Sequence, residues 1–309
     1  LDPLRPRPRY LQALMEFHAT GDDMAFEAGL LEVLRIDPEY SQALNRLALL
    51  QAGYRGRFAD GIVLIERALA ADPDSAFTAQ CAVDLYLAIN DIEAASDFEV
   101  PGLPEIGMAR LLRAARETSV PKTWSGRSPI GMVHAMAGIL VVRDAGLRDR
   151  DYPSAMEALR ARYCLPLRGQ DMPCMQDEML YAALAHGQLS IAAGNRRQGR
   201  RIIESVLERL DSPESRVSPN LGHLLRAAAL LSIGRRGEAL SELDAARASG
   251  PSLSWWVMLE HDQAFESVRD TAEFRAVLSL AREHAARERS ALSKLRSSGT
   301  VPKRPSTTR

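Results

Sequence analysis

An all-α fold, built as antiparallel helix hairpins stacked into an α-α superhelix, is predicted by three features of the sequence. Aromatic residues make up only 6% and no run alternates with period two, so strand signals are scarce. Apolar residues recur instead at i, i+3, i+4 and i+7 through almost every segment, the spacing that lines one face of a helix. A unit of turn, helix with spaced small residues and Pro-containing stop recurs, most clearly in GRRGEALSELDAARASGP at 234–251.

The periodicity places helices at about 9–19 and 23–36, the second stopped by the Asp-Pro of RIDPEY at 35–40. A helix over 40–53 pairs with one over 58–71, which ends at Asp72-Pro73. Helices at 75–89 and 105–117 follow, with Cys81 on an apolar stretch as a core residue. Those at 129–144 and 153–163 precede a Pro-rich loop, YCLPLRGQDMPC. Beyond it lie 174–193, 196–210 (stopped by Asp211-Ser212-Pro213), 217–233 (closed by Gly234), 236–249 (ended by Gly250-Pro251), 253–260 and a closing helix at 271–294.

Small residues mark where paired helices cross. Gly61, Ile65 and Ala68 share a face in 56–74, Gly199, Ile203 and Val206 in 192–213, and Ala239, Leu243 and Ala246 in 234–251. The preceding helices carry Ala48, Gly187 and Ala227 as partners. Two Asp-Pro stops lie 35 residues apart, at 37–38 and 72–73.

A period of about 34 with this pattern resembles the tetratricopeptide repeat family. Leu44, Leu47, Ala48, Gly61, Ile65, Ala68 and Pro73 fit one unit, Tyr86 and Ala95 the next, and Ala227, Gly234, Ala239, Leu243, Ala246 and Pro251 the last. The resemblance covers 22–98 and 174–251 and lacks the usual Trp of the first helix; 99–173 shows hairpins without the motif. WWVMLEHDQAFESVRDTAEFRAVLSLARE at 255–283 resembles the closing segment of bacterial repeat domains attached to winged-helix transcription regulators and adenylate cyclases. The expected organisation is a linker at 1–8, a solenoid over 9–290 whose 99–173 part is degenerate, and a disordered basic tail at 291–309.

The chain holds 39 basic and 40 acidic residues, a formal charge of -1, which removes a global electrostatic case for nucleic acid or membrane binding. The longest apolar run, Ile130 to Val142, is too short to span a bilayer and contains His134. Phosphate-binding loops, GxSxG, HExxH, paired CxxC and EF-hand patterns are absent, so no cofactor and no metal is expected. Glu260-His261-Asp262 reads as a solvated turn, and Arg143, Arg148 and Arg150 alternate with Asp144, Asp149 and Asp151 as in a plain charged turn. Arg196, Arg197, Arg200 and Arg201 stack into a cationic stripe on one helix, either an anion or acidic-peptide contact or a solvated face balanced by Glu204 and Glu208. Trp255 and Trp256 point about 100° apart on a helix, so one is expected in the core and the other partly exposed. Trp124 sits in a loop where it needs a pocket or a partner. Cys164 and Cys174 lie close enough in sequence to bridge in an oxidising compartment, or stand as separate thiols in a reducing one.

These readings converge on a non-catalytic interaction domain that binds a protein or peptide in a groove lined by the first helix of each pair. Polar residues on those helices are the expected contacts: Asn45, Gln80, Asp84, His186, His223 and Arg226. The closing-segment resemblance implies a sensory-regulatory part of a bacterial signalling or transcription-regulatory protein, periplasmic if that protein is membrane-anchored. The start at Leu1 within a Pro/Arg-rich stretch points the same way, as a linker in a longer protein. A free-standing cytoplasmic assembly scaffold is the alternative, homo-oligomerisation is open, and an all-helical enzyme without familiar motifs is the third reading.

Overall fold

The computed structural model describes residues 5–96, 98, 132–163 and 179–298. Every regular element among them is helical, and successive helices pack on one another in neighbouring pairs. The chain forms two compact units, Leu1–Pro104 with Glu283–Arg309, and Glu105–Arg282.

The first unit contains α1 (Pro6–Thr20), α2 (Asp23–Ile36), α3 (Ser41–Arg55), α4 (Phe58–Ala71), α5 (Ala76–Ala88) and the short α6 (Ile92–Ser96). Helix α1 begins inside the expected linker because proline fits a first turn, where its missing N–H has no intrahelical partner to lose. Asp22 starts α2 by accepting from Ala25 N at 2.9 Å, and Ser75 starts α5 by accepting from Thr78 N at 3.3 Å. One core runs from Tyr10, Ala13, Phe26, Leu30 and Val33 to Ala43, Leu47 and Leu50, with Phe17 stacked on Phe26 at 4.5 Å. At the α3/α4 crossing a Cβ on Gly61 would lie 3.0 Å from Ala48 O, so the small pair read from the sequence is in contact.

The second unit contains α7 (Met132–Asp149), α8 (Tyr152–Tyr163), α9 (Leu180–Ala192), α10 (Arg196–Asp211), α11 (Pro219–Ser232) and α12 (Arg236–Ser249). A Cβ on Gly199 of α10 would lie 2.5 Å from Gly187 O and 2.6 Å from Ile191 Cγ1, so these backbones touch. Ala227 and Ala239 are likewise fully buried at the α11/α12 crossing. Gly234 closes α11 for another reason: open space surrounds its Cβ position, but its φ of +81° favours glycine.

After α12 the expected short α-helix is replaced by a π-helical turn, Trp256–His261, and a 3₁₀ turn, Gln263–Val268, before α13 (Ala272–Ser297). Both tryptophans are buried, which corrects the expectation that one is partly exposed. The segment is covered from two sides. Trp255 shares a narrow gap with Leu224 and Ala246 of the last hairpin and with Val277 and Ala281 of α13, while Trp256 stands edge-on to His261 at 4.4 Å.

Helix α13 also runs past the expected start of a disordered tail. Its residues 291–297 are helical because Leu292 gains a buried apolar seat in the first unit. Residues 299–309 lie outside the described residues, as do the helix expected at 105–117, Trp124, Cys164, Cys174 and the side chain of His134.

Candidate functional site

Three of the six expected contact residues share the first unit. Asn45 on α3 and Gln80 on α5 stand 35 residues apart, one repeat offset, and Asp84 follows Gln80 by one helical turn. Their exposures are 2%, 0% and 2%, so they are not the walls of an open groove. The physical reason is the close approach that Ala48, Ala79 and Ala82 permit, which encloses whatever lies beside them. Asn45 donates to Thr78 Oγ1 at 3.2 Å. Its carbonyl oxygen and both amide atoms of Gln80 are buried without a hydrogen bond, a costly state for polar groups. Cys81 lies in the same row, and burial pushes its thiol up to about 12, which keeps it protonated and poor as a nucleophile.

The other three lie in the second unit and do not form a cluster. His186 on α9 is 6% exposed; burial, reinforced by the nearby Arg160 guanidinium, lowers its pKa to about 4, so it is neutral at pH 7. His223 and Arg226 on α11 are half-buried at the surface and already engaged. His223 Nδ1 lies 2.7 Å from Glu242 Oε2. Arg226 donates to Asp211 Oδ1 at 2.9 Å and to Leu210 O at 2.6 Å, satisfying a terminal carbonyl of α10. Arg196, Arg197, Arg200 and Arg201 are all exposed in the first turns of α10, which has no acidic residue in its first turn. Arg200 lies 3.9 Å from Glu204 and donates to Ile233 O at 3.2 Å.

Two readings of charged turns are overturned in part: Arg148, Asp149, Arg150 and Asp151 are exposed, but Arg143, Asp144 and Asp262 are not. Arg143, Asp144 and Asp262 are buried to 1%, 2% and 0% exposure and form one ionic network in the second unit. Arg143 Nη2 donates to Asp144 Oδ1 at 2.6 Å and to Asp262 Oδ1 at 2.8 Å. Its Nη1 donates to Gln188 Oε1 at 3.0 Å, and Gln188 donates to Ser232 Oγ at 2.7 Å. Tyr181 donates to Asp262 Oδ2 at 2.6 Å, while Asp262 Oδ1 also accepts from Ala264 N at 2.7 Å. The network ties α7, α9 and α11 to the closing segment. One guanidinium faces two carboxylates, and burial raises Asp144 to about 6 against the opposing pull of Arg143. The signal was present in the sequence: Arg143-Asp144 interrupts an apolar helical run, where a charge needs a partner. With every charged member buried, the network is a clamp within the second unit.

The first unit also holds one face of the C-terminal part of α13. His284 Nε2 donates to Gly56 O at 2.6 Å and its ring stands edge-on to Phe58 at 5.0 Å. Glu288 Oε2 accepts from Ala59 N at 2.8 Å, capping α4, which has no side-chain cap of its own. Arg289 donates to Asn90 O at 2.9 Å. Arg296 Nη2 donates to Glu66 Oε1 and contacts the Tyr86 hydroxyl, both at 2.7 Å, and Tyr86 in turn donates to Glu66 Oε1. Ala285 and Leu292 are buried between these polar ties, His284, Glu288, Ala291, Leu295 and Arg296 are half-buried, and residues 286, 287, 290, 293 and 294 are exposed. A single seam at i, i+3, i+4 and i+7 spacing is how a groove holds an amphipathic helix.

No family model matches this chain, and no curated protein matches it. Among the described residues, no group of three or more His, Cys, Asp or Glu is placed to hold a metal ion, and no helix is long and apolar enough to cross a membrane.

Proposed function

We propose that the chain is a non-catalytic interaction module of tetratricopeptide-like helix pairs that binds a protein or peptide partner. The observation that carries this reading is the seam on the first unit, which receives residues 284–296 as a groove receives a helix: by backbone groups at helix ends, one buried carboxylate and an apolar anchor. The states of the best catalytic candidates support it. Cys81 is held as a thiol, His186 is held neutral and the Arg143 network is enclosed. Membership of a bacterial signalling or transcription-regulatory protein is proposed on the resemblance of 255–283.

The accessible members of the expected contact set are His223 and Arg226, which makes them the place to test the module reading. A photo-crosslinking residue at either position in the full chain should capture a discrete partner in cells, while the same residue at Glu208, exposed on α10, should not. Equal capture at all three positions, or none at any, would overturn the reading.

A further inference from the structure

We propose that the seam holding residues 284–296 is an exchangeable helix-receiving site. Its partner is an amphipathic helix that presents a carboxylate and, eight residues later, a guanidinium on one face, with the chain's own Glu288 and Arg296 as resident occupants. The proposal rests on the interaction-module reading and names the partner chemistry for it.

Three features of the seam set that chemistry. The N-terminus of α4 lacks a side-chain cap, so its free N–H groups and positive dipole end call for a carboxylate, supplied at 2.8 Å by Glu288. Glu66 lies 5% exposed beside Tyr86 and calls for a cation, supplied by Arg296. Between these two poles the seat takes an aliphatic side chain, filled by Leu292.

The resident helix meets these demands incompletely, and this is why exchange is favoured. Arg296 reaches both Glu66 Oε1 and the Tyr86 hydroxyl through the single nitrogen Nη2. Its Nε and the second carboxylate oxygen, Glu66 Oε2, are both buried without a hydrogen bond. A guanidinium and a carboxylate pair best in a fork, two parallel N–H···O bonds, and a buried group left unpaired forfeits that energy. A partner helix whose arginine approaches Glu66 in the fork geometry satisfies both orphaned atoms and competes with the tethered resident for the seam. The resident can leave without unfolding its origin, because the part of α13 before Glu283 is anchored separately in the second unit, where Arg282 pairs with Glu260 at 2.7 and 2.8 Å.

The test uses the full chain and a fluorescent synthetic peptide of residues 283–298, read by anisotropy. The variant Leu292→Asp, which loosens the resident helix, should bind the peptide at least about tenfold more tightly than the wild-type chain, whose seam is filled. A peptide carrying Glu288→Ala and Arg296→Ala should lose at least about tenfold in affinity for the same variant. A folded Leu292→Asp chain that ignores the peptide, or takes both peptides equally, overturns the proposal. So does a chain that only pairs with second copies of itself as concentration rises. If Leu292→Asp does not fold, hydrogen exchange on the wild type decides. Amides of 284–297 should open at least about tenfold faster than those of α4 and α5, and exchange in step with α4 and α5 overturns it. Failure here leaves capture at His223 and Arg226 as a separate result, so the two readings fail independently.

Discussion

Arg143 Nη2 and Asp262 Oδ1 meet at 2.8 Å with both side chains at most 1% exposed, and their bond joins helix α7 to the segment that closes the second unit. Removing one partner of such a pair strands the other in a low-dielectric interior. Arg143→Ala should destabilise the second unit by about 3–5 kcal/mol in urea unfolding. Asp262→Asn keeps an acceptor at the Oδ1 position for Arg143, while its amide can donate to the Tyr181 hydroxyl, and should cost less. An Arg143→Ala chain as stable as wild type would refute the clamp.

Asp144 makes that clamp sensitive to pH. Its carboxyl rises from an ordinary 3.8 to about 6, chiefly through burial, so between these values the folded chain holds a proton that the unfolded chain has lost. Stability contributed by this group therefore falls as pH rises from about 4 through 6, and is level above. Asp144→Asn should flatten that part of the stability profile; an unchanged slope would assign it elsewhere.

His186 acts in the opposite sense. Burial first, and Arg160 second, lower its pKa from 6.5 to about 4, so in this interval the unfolded chain binds the proton and the folded chain does not. Its contribution is lost as pH falls from about 6.5 towards 4. Titration of the His186 ring by NMR should show it neutral at pH 6, and His186→Asn should lessen acid destabilisation in that window.

Gly199 and Gly237 are both glycines of second helices, yet their alanine variants should diverge. A Cβ at Gly199 meets Gly187 O at 2.5 Å, and a backbone atom cannot step aside; Gly199→Ala should cost about 1–3 kcal/mol or more. Nothing lies within 4 Å of a Cβ at Gly237, so Gly237→Ala should be neutral or stabilise by up to about 1 kcal/mol. Thermal melts of the two variants separate these outcomes directly.

Much of the architecture was legible because it depends on local chemistry. Helix periodicity, the Asp-Pro stops and the pairs Ala48/Gly61 and Gly187/Gly199 each act over one hairpin, and the structure has them where the spacing placed them. Contact residues were less legible. Asn45, Gln80 and Asp84 were assigned to the correct helices, but their burial depends on how closely neighbouring hairpins approach. Arg143 and Asp262 looked like surface charges because each was judged within its own segment, and neither segment contains the other.

By itself, the sequence determined that this chain is helical, where its hairpins turn and which small residues let them cross, since these follow from backbone propensity and side-chain volume within a few turns. Tertiary structure decided that residues after Arg282 belong with the first unit, that Glu288 and Arg296 reach Ala59 and Glu66, and that Asp262 finds Arg143. Those pairings are set by three-dimensional proximity. A charge or a lone helix face carries no mark in the sequence of the partner that will complete it.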